Sequence, residues 1–333
     1  MTIYLNKLMA GKDLTRDESY ALFSQMATYP LLEQAKILSA FAQKKETEEE
    51  LIGAMKAFLE HSVPIDYPHE VLDIVGTGGD GLGTFNISTA ASLVVASLGV
   101  RVAKHGGRRV TSLSGSTDVL AKLGIPMPET SKACITQLET QGYAYLWAPL
   151  FNPLLSSFGE VRKHLRIATV LNTLGPLINP VRPKRQLLGV SQRHLLTTVA
   201  HVLKASGLHH AFVVHSDDGL DELSISAPST IVELRNGLIT EYRINPEEVG
   251  LKYAPLQDVV GGNSTQNADI IRDLFSGKIN DAKLDIVLLN SAAGLLVTEK
   301  VSTLKEGVEM ARAAIVAGRT AAFLQNLQSL SLT

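Results

Sequence analysis

The sequence is short of several features that would place it in a class at once. It has a single cysteine, Cys134, so no intramolecular disulfide can form. That thiol sits in the helix-like stretch SKACITQLETQG with no His or Arg cluster beside it, and it is expected to be buried and inert. No apolar run reaches the ~18 residues of a membrane span. The N-terminal MTIYLNKLMAGKDLT lacks the long apolar stretch of a signal peptide, and the expectation is a cytoplasmic protein. There is no excess of either charge: 31 basic against 33 acidic side chains leave a net −2. This argues against nucleic-acid binding through overall charge and leaves only a local basic patch for that purpose. The phosphate loop G-x-x-x-x-G-K-[ST] is also missing, which removes the usual nucleoside triphosphate site.

What is present suits a folded chain of one large or two unequal domains: 333 residues, 45% of them hydrophobic. Residues 1–65 read as helical throughout. Thr15 with Glu18 and Thr47 with Glu50 form two candidate capping boxes. Apolar stripes at helical spacing follow each (Tyr20, Leu22, Phe23, Met26; Leu51, Met55, Phe58, Leu59), and Leu31, Leu32, Ala35, Leu38 and Phe41 make a third between them. Near Pro64 the pattern changes. VLDIV, VRVAKHG, YAYLWA, HAFVVHS and DIVLLN (285–290) read as strands with helical segments between them. That alternation predicts an α/β domain over 66–333 with a mainly parallel central sheet flanked by helices. Asn236-Gly237 between two β-rich runs predicts a hairpin. VRKHLRIATVLNTL is helical in pattern and stops at Gly175-Pro176. Its packing partner, sheet or N-terminal helices, is left open.

The densest chemistry lies between residues 76 and 116. VLDIV runs into Gly76-Thr77-Gly78-Gly79-Asp80-Gly81, a literal match to the G-x-G-x-x-G dinucleotide loop. Two features reject that reading. LGTFN separates the glycines from the following helix, and the next strand ends in Lys104-His105, where an acid should hold the ribose hydroxyls. A pyrophosphate cradle fits better. Glycines let successive N–H groups turn toward one anion. Asn86, Ser88 and Thr89 stand where a helix begins, as residues that cap a helix whose N–H groups favour anions. Lys104 and Arg108 bring positive charge to the same end of the sheet, and Ser112, Ser114 and Ser116 supply hydroxyls. Far along the chain, Asp217-Asp218-Gly219-Leu220-Asp221-Glu222 follows the strand HAFVVHS. Adjacent loop carboxylates suit Mg²⁺, which takes one or two of them and completes its shell with waters and phosphate oxygens.

GTGGDGLGTFNISTA, KHGGRRVTSLSGSTDVL, VRKHLRIATVLNTLGPLINP and DDGLDE, in that order, resemble the anthranilate phosphoribosyltransferases of tryptophan biosynthesis. The similarity extends over nearly the whole chain, through LLNSAAGL and GGNSTQNA. It implies a small helical domain, joined in space by about residues 155–180, beside a larger α/β domain, and a homodimer through the helical part. It also implies transfer of phosphoribose from phosphoribosyl pyrophosphate to anthranilate with Mg²⁺. By position, Gly76, Gly79, Asp80, Thr84, Asn86, Ser88, Thr89, Lys104, Gly107, Arg108, Ser112 and Ser116 would bind the donor. Ser88, Asp221 and Glu222 would hold Mg²⁺. Gly76, Gly107, Asn152 and Arg162 would meet anthranilate, with Lys104 and Arg162 as the catalytic pair. The chain departs from the family pattern at the acceptor: Gly107 stands where Asn is usual, Asn152 where His is usual, and Arg166 and Ala168 where Gly and often Arg are expected. A different carboxylated aromatic acceptor is therefore one alternative. The other is a nucleic-acid-binding homologue using Arg108, Arg109, Arg162, Lys163, Arg166, Arg182, Lys184 and Arg185.

Overall fold

The computed structural model describes residues 2–107 and 114–329. The chain opens with four helices: α1 (Thr2–Met9), α2 (Arg16–Met26), α3 (Leu31–Lys44) and α4 (Glu48–Glu60). Both capping boxes form. Glu18 N–H donates to Thr15 Oγ1 at 3.2 Å while Thr15 N–H donates to Glu18 Oε2 at 3.0 Å. The Thr47–Glu50 pair does the same at the start of α4. Glu50 does more than cap. Its buried carboxylate also accepts from Lys44 Nζ at 2.8 Å and from the Leu14 N–H at 2.8 Å, so one side chain ties α4 to α3 and to the α1–α2 turn. Phe23 packs on Phe41 and Phe58 with ring centroids 5.6 and 5.9 Å apart. Leu32 departs from its predicted stripe and points outward, 64% exposed.

The α/β part begins with β1 (Leu72–Gly76), α5 (Ile87–Ser97), β2 (Val102–Gly106), α6 (Ser116–Leu123), α7 (Ser131–Gln141) and β3 (Tyr143–Trp147). Four short helices follow: α8 (Ala148–Phe151), α9 (Pro153–Ser157), α10 (Gly159–Leu165) and α11 (Val170–Leu174), ending in a 3₁₀ turn, Gly175–Leu177. They bury Phe158, Val161, Leu171 and Leu174 in one cluster with Phe23, Phe41 and Phe58 of the first helices, and Phe58 meets Phe158 edge-on at 5.9 Å. The long helix read from VRKHLRIATVLNTL is thus two helices. Arg166 takes a left-handed backbone (φ 54°) between them, a conformation that ends a right-handed helix.

The chain then returns to the sheet with β4 (Arg185–Gly189), α12 (Leu195–Ala205), β5 (His210–Ser216), β6 (Ser229–Arg235) and β7 (Leu238–Ile244). Strand order is β3-β2-β1-β4-β5-β6-β7. The first five run parallel, and the last two add antiparallel through a turn whose Asn236 and Gly237 both have positive φ (50° and 79°). β4 lies at the centre of the sheet, yet its sequence does not announce a strand, because RQLLG opens with two polar residues. The opposite error concerns DIVLLN. It lies inside a helix, α14, so the expected strand at 285–290 is corrected. The terminal helices are α13 (Ser264–Phe275), α14 (Ala282–Val297), α15 (Leu304–Val316) and α16 (Arg319–Ser329). α14 is buried nearly all round, and an apolar run buried on every side has no period by which to tell helix from strand. Among the described residues no helix is long and apolar enough to cross a membrane. Cys134 is fully buried on α7, and desolvation pushes its thiol up to about 12, which keeps it protonated.

Candidate active site

The C-terminal ends of β1 and β2 and the loop after β5 converge on a cavity of about 260 Å³. This is the end at which open α/β sheets bind ligands. The opposite wall comes from the short helices, through Ala148, Leu155, Arg162, Leu171, Asn172, Gly175 and Pro176. Gly76, Gly79, Asp80, Thr84, Asn86, Ser88, Lys104, Gly107, Ser116, Arg162, Asp221 and Glu222 all line it. Two expected site residues do not. Thr89 is buried behind the wall and donates to Ser116 Oγ at 3.1 Å, and Asn152 is buried behind His105. Arg108 and Ser112 lie outside the described residues.

On the sheet side, Gly78 and Gly79 take positive φ (63° and 84°), a backbone that turns N–H groups into a concave surface. The expected caps at the start of α5 are not formed. Asn86 occupies the N-cap without a side-chain cap bond. Its Oδ1 instead accepts from Asn267 Nδ2 at 2.9 Å, and its Nδ2 donates to the Ser114 carbonyl at 3.4 Å. Asn86 therefore holds the 114–116 loop and α13 against the helix start. Ser88 Oγ is held by Lys104 Nζ at 3.2 Å.

Lys104 is 1% exposed, and its ammonium also donates to the Ile74 carbonyl. Burial pushes its pKa down, while Asp73, Glu222 and Asp221 hold it up. Asp73 is a buried residue of β1 itself; Asn179 Nδ2 and the His105 N–H donate to it, and burial pushes it up to about 6. The acidic loop divides by role. Asp217 faces outward to Arg193 and Arg243, and Asp218 accepts from Ser224 Oγ within its own loop. Asp221 and Glu222 turn into the cavity, 8% and 9% exposed. Asp221 Oδ2 accepts from the Gly78 N–H at 2.6 Å and so pins the glycine loop. Burial, then repulsion from Asp80, raises Asp221 to about 7; burial, then repulsion from Asp221, raises Glu222 to about 8. Two glycines make room for this. A Cβ on Gly76 would stand 2.4 Å from Asp221 Oδ2, and one on Gly189, its register partner across β1 and β4, would stand 1.6 Å from the Asp221 carbonyl oxygen. Gly189 escapes sequence reasoning because nothing near RQLLG hints that another backbone crosses there.

Two buried carboxylates that lack enough positive charge nearby fit a divalent cation. No group of three or more His, Cys, Asp or Glu among the described residues is arranged to hold one. Mg²⁺ does not need such a cage when phosphate oxygens and waters complete its octahedron.

On the helical side, Arg162 is half-buried, its Nε has no partner among the described residues, and desolvation lowers its pKa. A half-buried guanidinium in a wall shared with Ala148, Leu155, Leu171 and Pro176 is suited to a carboxylate on a flat apolar body. His105 joins the two walls. Its Nδ1–H donates to the Gly175 carbonyl at 3.2 Å, and its Nε2 accepts from Asn152 Nδ2 at 2.9 Å. These partners assign the tautomer, and burial pushes the imidazole down to about 4, so it stays neutral. Asn152, expected at the acceptor, instead orients His105 from behind. Of the basic residues suggested for a nucleic-acid groove, Arg162 faces the cavity and Arg185 is engaged by Glu70 and Glu299.

Comparison with known proteins agrees over the full length. Residues 68–321 match the family model described as "Glycosyl transferase family, a/b domain", and residues 2–62 the matching helical bundle domain. The chain is 41% identical to the anthranilate phosphoribosyltransferase of Symbiobacterium thermophilum, covering 98% of this chain and 97% of that one. Its structure superposes on the crystal structure of the Thermus thermophilus anthranilate phosphoribosyltransferase with a TM-score of 0.91 at 34% identity, covering 99% of each chain. The Saccharomyces cerevisiae enzyme in complex with PRPP and Mg gives 0.90 at 28% identity, covering 99% of this chain and 97% of that one.

Proposed function

We infer the reaction from a premise the comparisons establish, that the chain belongs to the anthranilate phosphoribosyltransferase family: it moves the 5-phosphoribosyl group of phosphoribosyl pyrophosphate to anthranilate, releasing pyrophosphate, in tryptophan biosynthesis. The observation that carries this is one cavity with two unlike walls. One holds an anion cradle with two buried carboxylates, and the other holds a half-buried guanidinium, without an ion pair among the described residues, among apolar side chains. Mg²⁺ is the cofactor, with Asp221, Glu222 and the Ser88 hydroxyl as its holders. Bound there, it would supply positive charge to pyrophosphate oxygens.

The chain's own residues do the rest. The C1–O bond to pyrophosphate breaks, a C1–N bond forms, and the amine loses one proton. Negative charge grows on the leaving oxygens, and Lys104 and the N–H groups of the glycine loop lie in the wall that faces them, already oriented. The donor-binding set is Gly76, Gly79, Asp80, Thr84, Asn86, Ser88, Lys104, Gly107 and Ser116, with Thr89 bracing Ser116 from behind. Arg162 pairs with the anthranilate carboxylate and holds the amine on the face of C1 away from pyrophosphate. An aromatic amine needs little deprotonation, and neutral His105, bonded at both nitrogens, serves as a strut rather than a base.

The test is loss of anthranilate fluorescence on mixing the purified chain with donor, Mg²⁺ and anthranilate. Loss dependent on both donor and Mg²⁺ is expected; no loss in a chain that still binds donor would transfer the assignment to another aromatic acid. Arg162→Gln is expected to raise the KM for anthranilate by about 30-fold, the low end for truncating a desolvated ion pair, with donor KM little changed. An unaltered anthranilate KM would remove Arg162 from the acceptor site. The same reading divides the chain near residue 65 and places a homodimer contact on the helical part, in the cytoplasm. Ile3, Met9 and Leu32 support the contact by exposing 69%, 72% and 64% of their surface on α1 and α3. A sedimentation mass of one chain at micromolar concentration would refute it.

A further inference from the structure

Behind the Gly175–Leu177 turn lies a second cavity, also about 260 Å³, between α4 of the helical part and β4 and α12 of the sheet part. Its interior is apolar, with Met55, Leu59, Leu177 and Leu203. The polar groups deep inside are already committed: Asn179 to Asp73 and the Ala103 carbonyl, and Gln186 Nε2 to the Pro176 carbonyl at 2.8 Å. Its rim carries two cations, Lys56 and Arg182, and one carboxylate, Glu60. Lys56 lies 4.9 Å from the Tyr20 ring centre and only loosely beside Glu60, at 3.9 Å, whose carboxylate is engaged by the Tyr20 hydroxyl at 2.6 Å. Arg182 forms no ion pair among the described residues and holds a left-handed backbone (φ 53°) at the rim. An apolar interior with the unpaired Arg182 at its rim, and Lys56 only loosely held beside it, selects a flat aromatic body with its acid group at the mouth.

This cavity is not isolated from the catalytic one. Pro176 lines both. The same turn supplies the Gly175 carbonyl that receives His105, and Gln186 anchors it from the rear wall. Three residues thus partition two cavities, and packed partitions shift between discrete arrangements rather than deform smoothly. We propose that the rear cavity is a second small-molecule site for an aromatic monocarboxylate, and that its occupant acts through the 175–177 turn on the acceptor wall of the catalytic cavity. Such a ligand changes turnover only as far as it prefers one position of the turn.

The experiment uses the full chain and naphthalene-1-carboxylate as probe. Calorimetric titration is run without anthranilate, itself an aromatic monocarboxylate, on the unsubstituted chain and on Arg162→Gln, whose acceptor position has lost its guanidinium. Saturable binding is expected, with an affinity at least tenfold weaker in Arg182→Glu and lost in Leu208→Trp, which fills the cavity from its lining. In turnover assays the probe is expected to lower kcat in the unsubstituted chain and not in Leu208→Trp, while both rear-site variants without probe stay within about twofold of the unsubstituted chain. No binding, inhibition undiminished in Leu208→Trp, or an affinity unchanged from the original chain in both rear-site variants would overturn the proposal. Because binding is read directly, a chain that failed to consume anthranilate would sink the reaction assigned above and still test the rear site.

Discussion

Lys104→Met is expected to cut kcat/KM for the donor by about 10²–10³-fold, the loss seen when one preoriented donor to a developing anion is removed. Methionine keeps the length and apolar stem of lysine and deletes only the charge and its hydrogen bonds. In the present structure that ammonium is 1% exposed, spans the Ile74 carbonyl and the Ser88 hydroxyl, and faces Asp73, Glu222 and Asp221. Without it, three buried carboxylates share no cation. Burial already raises them to about 6, 7 and 8, so proton uptake relieves the strain and the chain is expected to stay folded, with far-ultraviolet dichroism unchanged. The Mg²⁺ concentration for half-maximal rate should fall or hold steady, because the substitution removes positive charge beside the metal position. A kcat/KM within threefold of the original would exclude Lys104 from stabilising the departing pyrophosphate.

Asp221→Asn is expected to show the complementary signature. The asparagine oxygen can still accept from the Gly78 N–H, now bonded at 2.6 Å, so the glycine loop keeps its tie to the acidic loop. What disappears is one of two carboxylates, and Mg²⁺ binds carboxylate far better than amide oxygen. Turnover is expected to fall more than about tenfold, and the Mg²⁺ needed for half-maximal rate to rise at least about tenfold, equivalent to some 1.4 kcal/mol of binding. Rates restored fully at the original Mg²⁺ concentration would mean that Asp221 only braces the loop. Opposite movements of the Mg²⁺ requirement in the two variants would separate the anion-stabilising cation from the metal holder within one cavity.

Local signals are readable where a short stretch contains its own physical cause. Thr15–Glu18 and Thr47–Glu50 satisfy orphan N–H groups within four residues, and Asn236-Gly237 tolerates the positive φ its turn requires. The local pattern misleads where a distant surface overrides it. DIVLLN is helical because α14 is buried on all sides, and RQLLG is a strand because β1 and β5 pair with it on either edge. Asn86 looks like a cap and is drawn away by Asn267, 181 residues on. Asn152 matches an acceptor position in register, yet its amide reaches only as far as His105.

The donor chemistry is legible in the amino-acid order because the glycine turn, the start of α5 and Lys104 follow one another along two adjacent strands, where chain connectivity alone keeps them close. No pattern of residues could show that Asp221 seats against Gly76 and Gly78, across 143 positions, or that Arg162 faces them from a helical wall. Those placements follow from inserting β4 between β1 and β5 and from packing Phe158 against Phe58. Both arise from burying apolar surface between segments far apart in the chain, and that driving force has no direction along the sequence.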